Sequence, residues 1–82
     1  MLHKVKTVTP LANLTLAVEF QDGTRKQYDV TPLIAKWEPF GLLKSLPGIF
    51  ERVRVDWHGY GIVWNDELDL SCEELWVNGR PV

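Results

Sequence analysis

A single α+β domain built on antiparallel sheet, spanning residues 1–82, is what this sequence predicts, and three observations predict it. Leu14, Leu16, Val18 and Phe20 alternate with Thr15, Ala17 and Glu19, the period of two that marks a strand with one buried face. Asp22-Gly23 follows at once, a hairpin signal when strands flank it. In the last third, Arg52–Trp76, an alternating segment, a glycine-rich turn, a returning apolar segment, an acidic loop and a capped helix succeed one another.

The elements follow in order. His3–Thr9 reads as a first strand closed by Pro10, and Leu14–Phe20 as the second. Arg25–Val30 returns as a third, and its polarity suggests a sheet edge or a solvated face. These three make a meander. Thr31-Pro32 has the form of an N-cap followed by proline in the first helical turn, opening a helix over Pro32–Trp37 that must stop before Pro39. Phe40, Leu42, Leu43 and Leu46 predict a second short helix over Phe40–Leu46, interrupted at Pro47-Gly48, after which Ile49-Phe50 return to the core. Arg52–Trp57 alternates again, with Val53, Val55 and Trp57 on one face. His58–Gly61 turns the chain and Ile62–Trp64 brings it back as a second hairpin. Ser71-Cys72-Glu73-Glu74 has capping-box spacing, with Glu74 expected to reach back to Ser71, and Asn78-Gly79 ends that helix.

Composition narrows the class. Four Trp, three Phe and two Tyr within a 45% hydrophobic chain supply one core and argue against disorder. The single cysteine, Cys72, excludes an internal disulfide, which fits a reducing cytoplasm. The N-terminus has no signal-peptide apolar run, and no segment approaches the roughly 18 apolar residues of a membrane span. Net charge is −2: residues 1–41 carry five basic and four acidic side chains, residues 42–82 four and seven. With no basic cluster to neutralise a phosphate backbone, direct nucleic-acid binding is disfavoured.

Constellations that carry chemistry are missing. His3, His58 and Cys72 stand far apart, without zinc-ligand spacing, so no metal and no cofactor is expected. The acidic loop Asn65–Asp69 lacks the glycine and the distal glutamate of a calcium loop; Asp66 and Asp69 read as turn caps. A Cys72–His58 nucleophile pair has no supporting motif, and Gly59-Tyr60-Gly61 lies between strands, where no helix dipole serves a phosphate.

The tryptophans are the remaining signal. Trp57 and Trp64 share strand faces with Val53, Val55 and Ile62 and read first as core residues. Trp and Tyr are also enriched at contacts between proteins. The candidate interaction or ligand residues are therefore Trp57, Tyr60, Trp64, Asp69 and Trp76. Trp37 and Trp76, near helix ends, are expected half exposed beside Tyr60, an aromatic patch flanked by acidic groups that suits a basic or aromatic partner.

The ordered motifs carry a resemblance. They are Phe20, Asp22 and Gly23; Asp29–Leu33, reading D-V-T-P-L; Phe50, Val53 and Val55; and Ile62, Trp64, Asp69, Leu70, Glu73 and Leu75. Together the sequence resembles a family of small bacterial domains, domain of unknown function 2442. The resemblance implies an α+β fold with antiparallel sheet and no established activity. It also implies membership beside a second small protein, which has prompted a toxin–antitoxin interpretation, and relatives fused to DNA-binding helix-turn-helix segments. Since this chain ends at Val82, the DNA-binding variant is not expected of it.

The reading that results is a non-enzymatic cytoplasmic interaction module, antitoxin-like, whose partner is another small protein encoded by the adjacent gene. The alternative is a small-ligand domain with an aromatic pocket at Trp57, Tyr60 and Trp64. A third reading is a cryptic enzyme using His58 and nearby carboxylates. Homodimerisation through the polar strand Arg25–Val30 is compatible with each.

Overall fold

The computed structural model describes residues 2–82 and bears out the α+β class, with two antiparallel sheets instead of one meander and one hairpin. The larger sheet begins with β1 (Val5–Leu11), β2 (Thr15–Phe20) and β3 (Arg25–Asp29). Val8, Val18 and Lys26 lie side by side across it, as do Pro10, Leu16 and Tyr28. That register sends Leu16, Val18, Phe20 and Tyr28 into the core. Thr9, Ala17 and Gln27 consequently line the opposite, open face.

Two boundaries move for physical reasons. β1 runs through Pro10 instead of stopping before it, because β1 is an edge strand and a proline there removes no ladder bond when its nitrogen faces out of the sheet. Leu14 sits in the β1–β2 turn, not in β2, with φ +55° beside Asn13 at φ +62°. Asn tolerates that left-handed region, whereas Leu occupies it at a cost. Packing of Leu14 on the core and its carbonyl, which accepts from Val30 N–H at 3.0 Å, hold it there. The Asp22-Gly23 turn forms as expected: Gly23 takes φ +91° and the Asp22 carboxylate accepts from Thr24 N–H at 2.9 Å.

After β3 come α1 (Thr31–Lys36), a 3-10 turn (Glu38–Gly41), α2 (Leu42–Ser45) and a second 3-10 turn (Phe50–Arg52). The expected Thr31 cap is a correction. Thr31 is the first helical residue, Val30 holds the N-cap position without a side-chain bond, and Asp29 Oδ1 braces the entry by accepting from Thr31 N–H at 2.9 Å and from Thr31 O–H at 2.7 Å. These bonds hold the Asp29 carboxyl below the usual carboxylate range.

The smaller sheet is β4 (Arg54–Val55), β5 (Gly61–Asn65) and β6 (Leu68–Ser71). β6 was expected to be acidic loop. Leu68 and Leu70 point inward while Asp69 and Ser71 point out, a period-two pattern masked by the charged turn that precedes it. That turn is capped by Asn65, not by Asp66 or Asp69: Asn65 Oδ1 accepts from Glu67 and Leu68 N–H at 2.8 and 3.0 Å. β4 is far shorter than the predicted Arg52–Trp57 strand, so Trp57 leaves the sheet altogether.

Finally α3 (Cys72–Asn78) packs against β3, β5 and β6, and β7 (Arg80–Pro81) closes the larger sheet beside β3. β3 is therefore internal, which decides between the two readings of its polarity: Arg25, Gln27 and Asp29 lie on the solvated face, while Lys26 shares the row of Val8 and Val18. Ser71 caps α3 as predicted, accepting from Glu74 N–H at 3.1 Å. The Glu74 side chain does not reach back to Ser71; its Oε2 accepts instead from the Tyr28 hydroxyl at 2.7 Å and the Asn78 amide at 2.8 Å. Between the sheets lies one core that includes Phe20, Val30, Phe50, Ile62, Trp64 and Leu75. No helix among the described residues is long and apolar enough to cross a membrane.

Candidate functional site

The segment Asp56–Gly61 joins β4 to β5 and is the most heavily braced turn of the smaller sheet. Asp56 N–H donates to Gly61 O at 3.0 Å and Gly59 N–H donates to Asp56 O at 3.0 Å. The Asp56 side chain closes the turn further, one oxygen accepting from His58 N–H at 3.1 Å and Tyr60 N–H at 3.0 Å. An aspartate at the head of a turn does this readily, because its short carboxylate meets the amides that follow it.

Two long-range bonds tie the turn to the fold. Gly59 O accepts from Val5 N–H at 2.8 Å, and Tyr60 O accepts from Cys72 N–H at 2.7 Å. The first joins the turn to β1 and the second to the start of α3. Both glycines are required, for different reasons. Gly59 has φ +78°, and a Cβ there would stand 2.9 Å from Val5 O. Gly61 has no positive φ; a Cβ there would meet Leu70 O, because β5 and β6 approach so closely at that point.

What this frame presents is aromatic. Trp57 is 90% exposed, against the expectation that it fills the core. Its ring lies 3.7 Å from that of His58 between centroids, tilted by 39°, and His58 lies 5.6 Å from Tyr60. Lys4, from the segment leading into β1, places Nζ 5.0 Å from the Tyr60 ring centroid. Beside Tyr60 the sheet surface has a shallow depression of about 220 Å³ lined by Asp56, Val63, Asp69 and Ser71. Of the residues singled out from the sequence, Tyr60 and Asp69 thus line one depression, and Trp57 stands on the same turn as Tyr60, joined to it through the His58 ring.

The other two lie elsewhere. Trp64 is 3% exposed, packed on Phe40 and Phe50, with its indole N–H donating to Phe50 O at 3.0 Å. It is core, so Trp57, Tyr60 and Trp64 do not line one open pocket. Trp76 is half-buried on α3, where the His3 ring stacks on it at 3.5 Å and 7° and Phe20 meets it edge-on. Lys26 Nζ lies 4.2 Å from its ring and donates to its carbonyl. Trp76 is therefore satisfied within the chain and does not join Tyr60.

No group of three or more His, Cys, Asp or Glu among the described residues could hold a metal ion. Cys72 is free and buried, while His58 is exposed on the turn.

One polar feature of the structure has no counterpart among the sequence motifs. A cleft of about 520 Å³ between β3, α1 and α3 is lined by Tyr28, Asp29, Lys36, Glu74, Asn78 and Arg80, among others. Burial first, and then the bond to the Glu74 carboxylate, push the Tyr28 hydroxyl well above the ordinary phenol range. The signal available was Tyr28 on the inward side of its strand: a buried phenol needs a partner.

Comparison with known proteins agrees with the architecture. The family model described as "Protein of unknown function (DUF2442)" matches residues 5–81. No curated protein matches the chain. Among solved structures, the "Putative DNA Binding Protein NE0471 from Nitrosomonas europaea ATCC 19718" superposes with a TM-score of 0.77 at 22% identity. The match covers 92% of this chain and 47% of that one, so this chain spans just under half its length. At that identity the likeness speaks for the fold.

Proposed function

For a chain that belongs to the DUF2442 family of proteins of unknown function, we propose a role as a non-enzymatic interaction module that holds another protein through the Asp56–Gly61 turn. The observation that carries this reading is Trp57, 90% exposed on a turn whose backbone is tied to β1 and α3. An exposed indole gains little for folding. Held on a rigid frame, it is the type of side chain that dominates contacts between proteins, since little conformational entropy is left to lose on binding. His58 and Tyr60 extend the same surface, and Asp69 gives it a polar rim.

The partner in this proposal is a small protein encoded by the adjacent gene, and the pair works in the cytoplasm as an antitoxin-like system. Nucleic acid suits the surface less well. Phosphates would meet Asp56 and Asp69 with no basic cluster to offset them. Co-expression with the neighbouring gene product and pull-down tests the reading. The expected result is a complex that survives purification from the parent chain and is lost from Trp57→Ala. A complex recovered equally from both, or none at all, defeats it.

A further inference from the structure

We propose that the segment received by this turn is basic, an arginine-bearing stretch of polypeptide whose guanidinium lies on the Trp57 ring and whose charge is met by Asp69 and Asp56. The inference rests on the preceding reading of the turn as a contact surface and adds the chemistry of what it contacts.

Three observations point the same way. The first is how this chain treats its other accessible rings. Tyr60 has Lys4 Nζ at 5.0 Å, Trp76 has Lys26 Nζ at 4.2 Å and Trp37 has Lys36 Nζ at 5.9 Å. Each places a cation where the negative face of an aromatic ring attracts it. Trp57 is the most exposed of the chain's aromatic rings and has the strongest quadrupole type, yet no cation of the described residues lies over it.

The second is charge. From Val55 to Gly79 the sequence has no lysine or arginine, and it carries the carboxylates of Asp56, Asp66, Glu67, Asp69, Glu73 and Glu74. Across the smaller sheet, Arg54, Val63 and Asp69 form the outward row, so Arg54 at the far edge is the one cation in that row. Next to Tyr60 the depression carries Asp56 and Asp69 and no basic group among its lining residues. Lys4, over the Tyr60 ring, is the one cation among the described residues placed beside it, so two carboxylates face a single lysine there and the Trp57 ring nearby stays uncovered.

The third is preorganisation. The Asp56 carboxylate already holds the turn closed through His58 and Tyr60, so its charge is fixed in position before a partner arrives. Guanidinium suits this arrangement better than ammonium. Its flat face stacks on indole while its edge still offers hydrogen bonds to a carboxylate, and it gives up less hydration.

Selection of a random dodecapeptide library against the immobilised full chain, with single-stranded oligothymidylate as a parallel probe, tests this. The expected result is enrichment of peptides with arginine next to apolar residues. Trp57→Ala should weaken those peptides by about tenfold or more, and Asp69→Lys should weaken them several-fold, as loss of an exposed-to-desolvated cation–π contact and reversal of a facing charge imply. Trp57→Phe should retain part of the binding. The thermal midpoints of all three variants should stay at the parent value, because both side chains are exposed.

Enriched peptides that are neutral or acidic, yet still depend on Trp57, overturn the basic partner while leaving the turn as the contact surface. Oligothymidylate binding that Trp57→Ala abolishes, without arginine enrichment among peptides, overturns it in favour of base stacking. Binding indifferent to Trp57, or no enrichment, removes this inference and the reading beneath it together.

Discussion

Trp76 and Trp57 each have a histidine ring beside them, and the two clusters end up as opposites. At Trp76 the His3 ring stacks flat at 3.5 Å, Lys26 lies 4.2 Å from the centroid and Phe20 closes the edge. At Trp57 the His58 ring is tilted by 39°, and Lys4 lies over Tyr60 of the same turn. The same residue types are saturated in one place and open in the other. The difference comes from the element beneath. Trp76 sits on a helix pressed between strands, and Trp57 on a turn that projects beyond the sheet. Aromatic composition therefore does not tell scaffold from surface here; the backbone that carries the ring does.

The sharpest way to break this comparison is to truncate the saturated ring. Trp76→Ala removes the surface on which His3, Lys26 and Phe20 all rest, and it should cost about 3 kcal/mol, toward the lower end for tryptophan because the side chain is only half-buried. Chemical denaturation of parent and variant measures it. A loss near zero would mean that the cluster is decoration, and the contrast with Trp57 would vanish.

Next comes the frame of the open cluster. Gly59→Ala puts a Cβ 2.9 Å from Val5 O at a backbone angle of +78°. The two penalties together should cost about 2 kcal/mol and displace the turn from β1. Amide exchange at Val5, whose N–H donates to Gly59 O, reports the displacement. An unchanged Val5 would show that the turn is not tied to β1 as described, and the case for a preorganised surface would fail with it.

How much of this contrast can be read from the residues is instructive. The strand Leu14–Phe20, the Asp22-Gly23 turn and the Ser71 cap are legible because one local rule decides each: alternation, turn chemistry, or helix-end satisfaction. β6 is hidden because Asn65-Asp66-Glu67 makes its opening look like loop, although Leu68 and Leu70 alternate within it. β7 has two residues, and only its position beside β3 makes it a strand. Trp57 is misread because alternation through Val53 and Val55 continues to it in sequence, whereas the strand itself stops at Val55 to let Asp56 start the turn. Of the surface residues, Trp57, Tyr60 and Asp69 are nameable from sequence, but the meeting of Tyr60 with Asp69 depends on the pairing of β5 with β6, which no local pattern encodes.

A smaller effect tests the polar side of the saturated region. Tyr28→Phe deletes the donor to Glu74 and leaves that carboxylate with the Asn78 amide, which should cost about 1 kcal/mol at neutral pH. The pH dependence carries a sign. The Tyr28 proton is held more tightly in the folded chain than in the unfolded one, so its contribution is complete below the unfolded phenol value of about 10. Above that the unfolded chain loses its proton first, and stability falls with rising pH. Parent and Tyr28→Phe should therefore converge as the solution is taken alkaline. Parallel curves would place the hydroxyl in water, outside the Glu74 bond.

The smallest expected effect is the one that matters most for function. Trp57→Ala removes the largest side chain of its turn, yet its ring is 90% in water and the bonds that shape the turn are made by Asp56 and by backbone groups. Truncation should change folding stability by less than about 0.5 kcal/mol, the range for surface positions away from caps and networks. Among the aromatic rings of the described residues, the approach forfeited is the tilted one to His58. Thermal unfolding of the variant alongside Trp76→Ala places both clusters on one scale. A loss of 2 kcal/mol or more at Trp57 would mean that the ring is held against the fold, and an indole engaged in that way is not free to receive a partner.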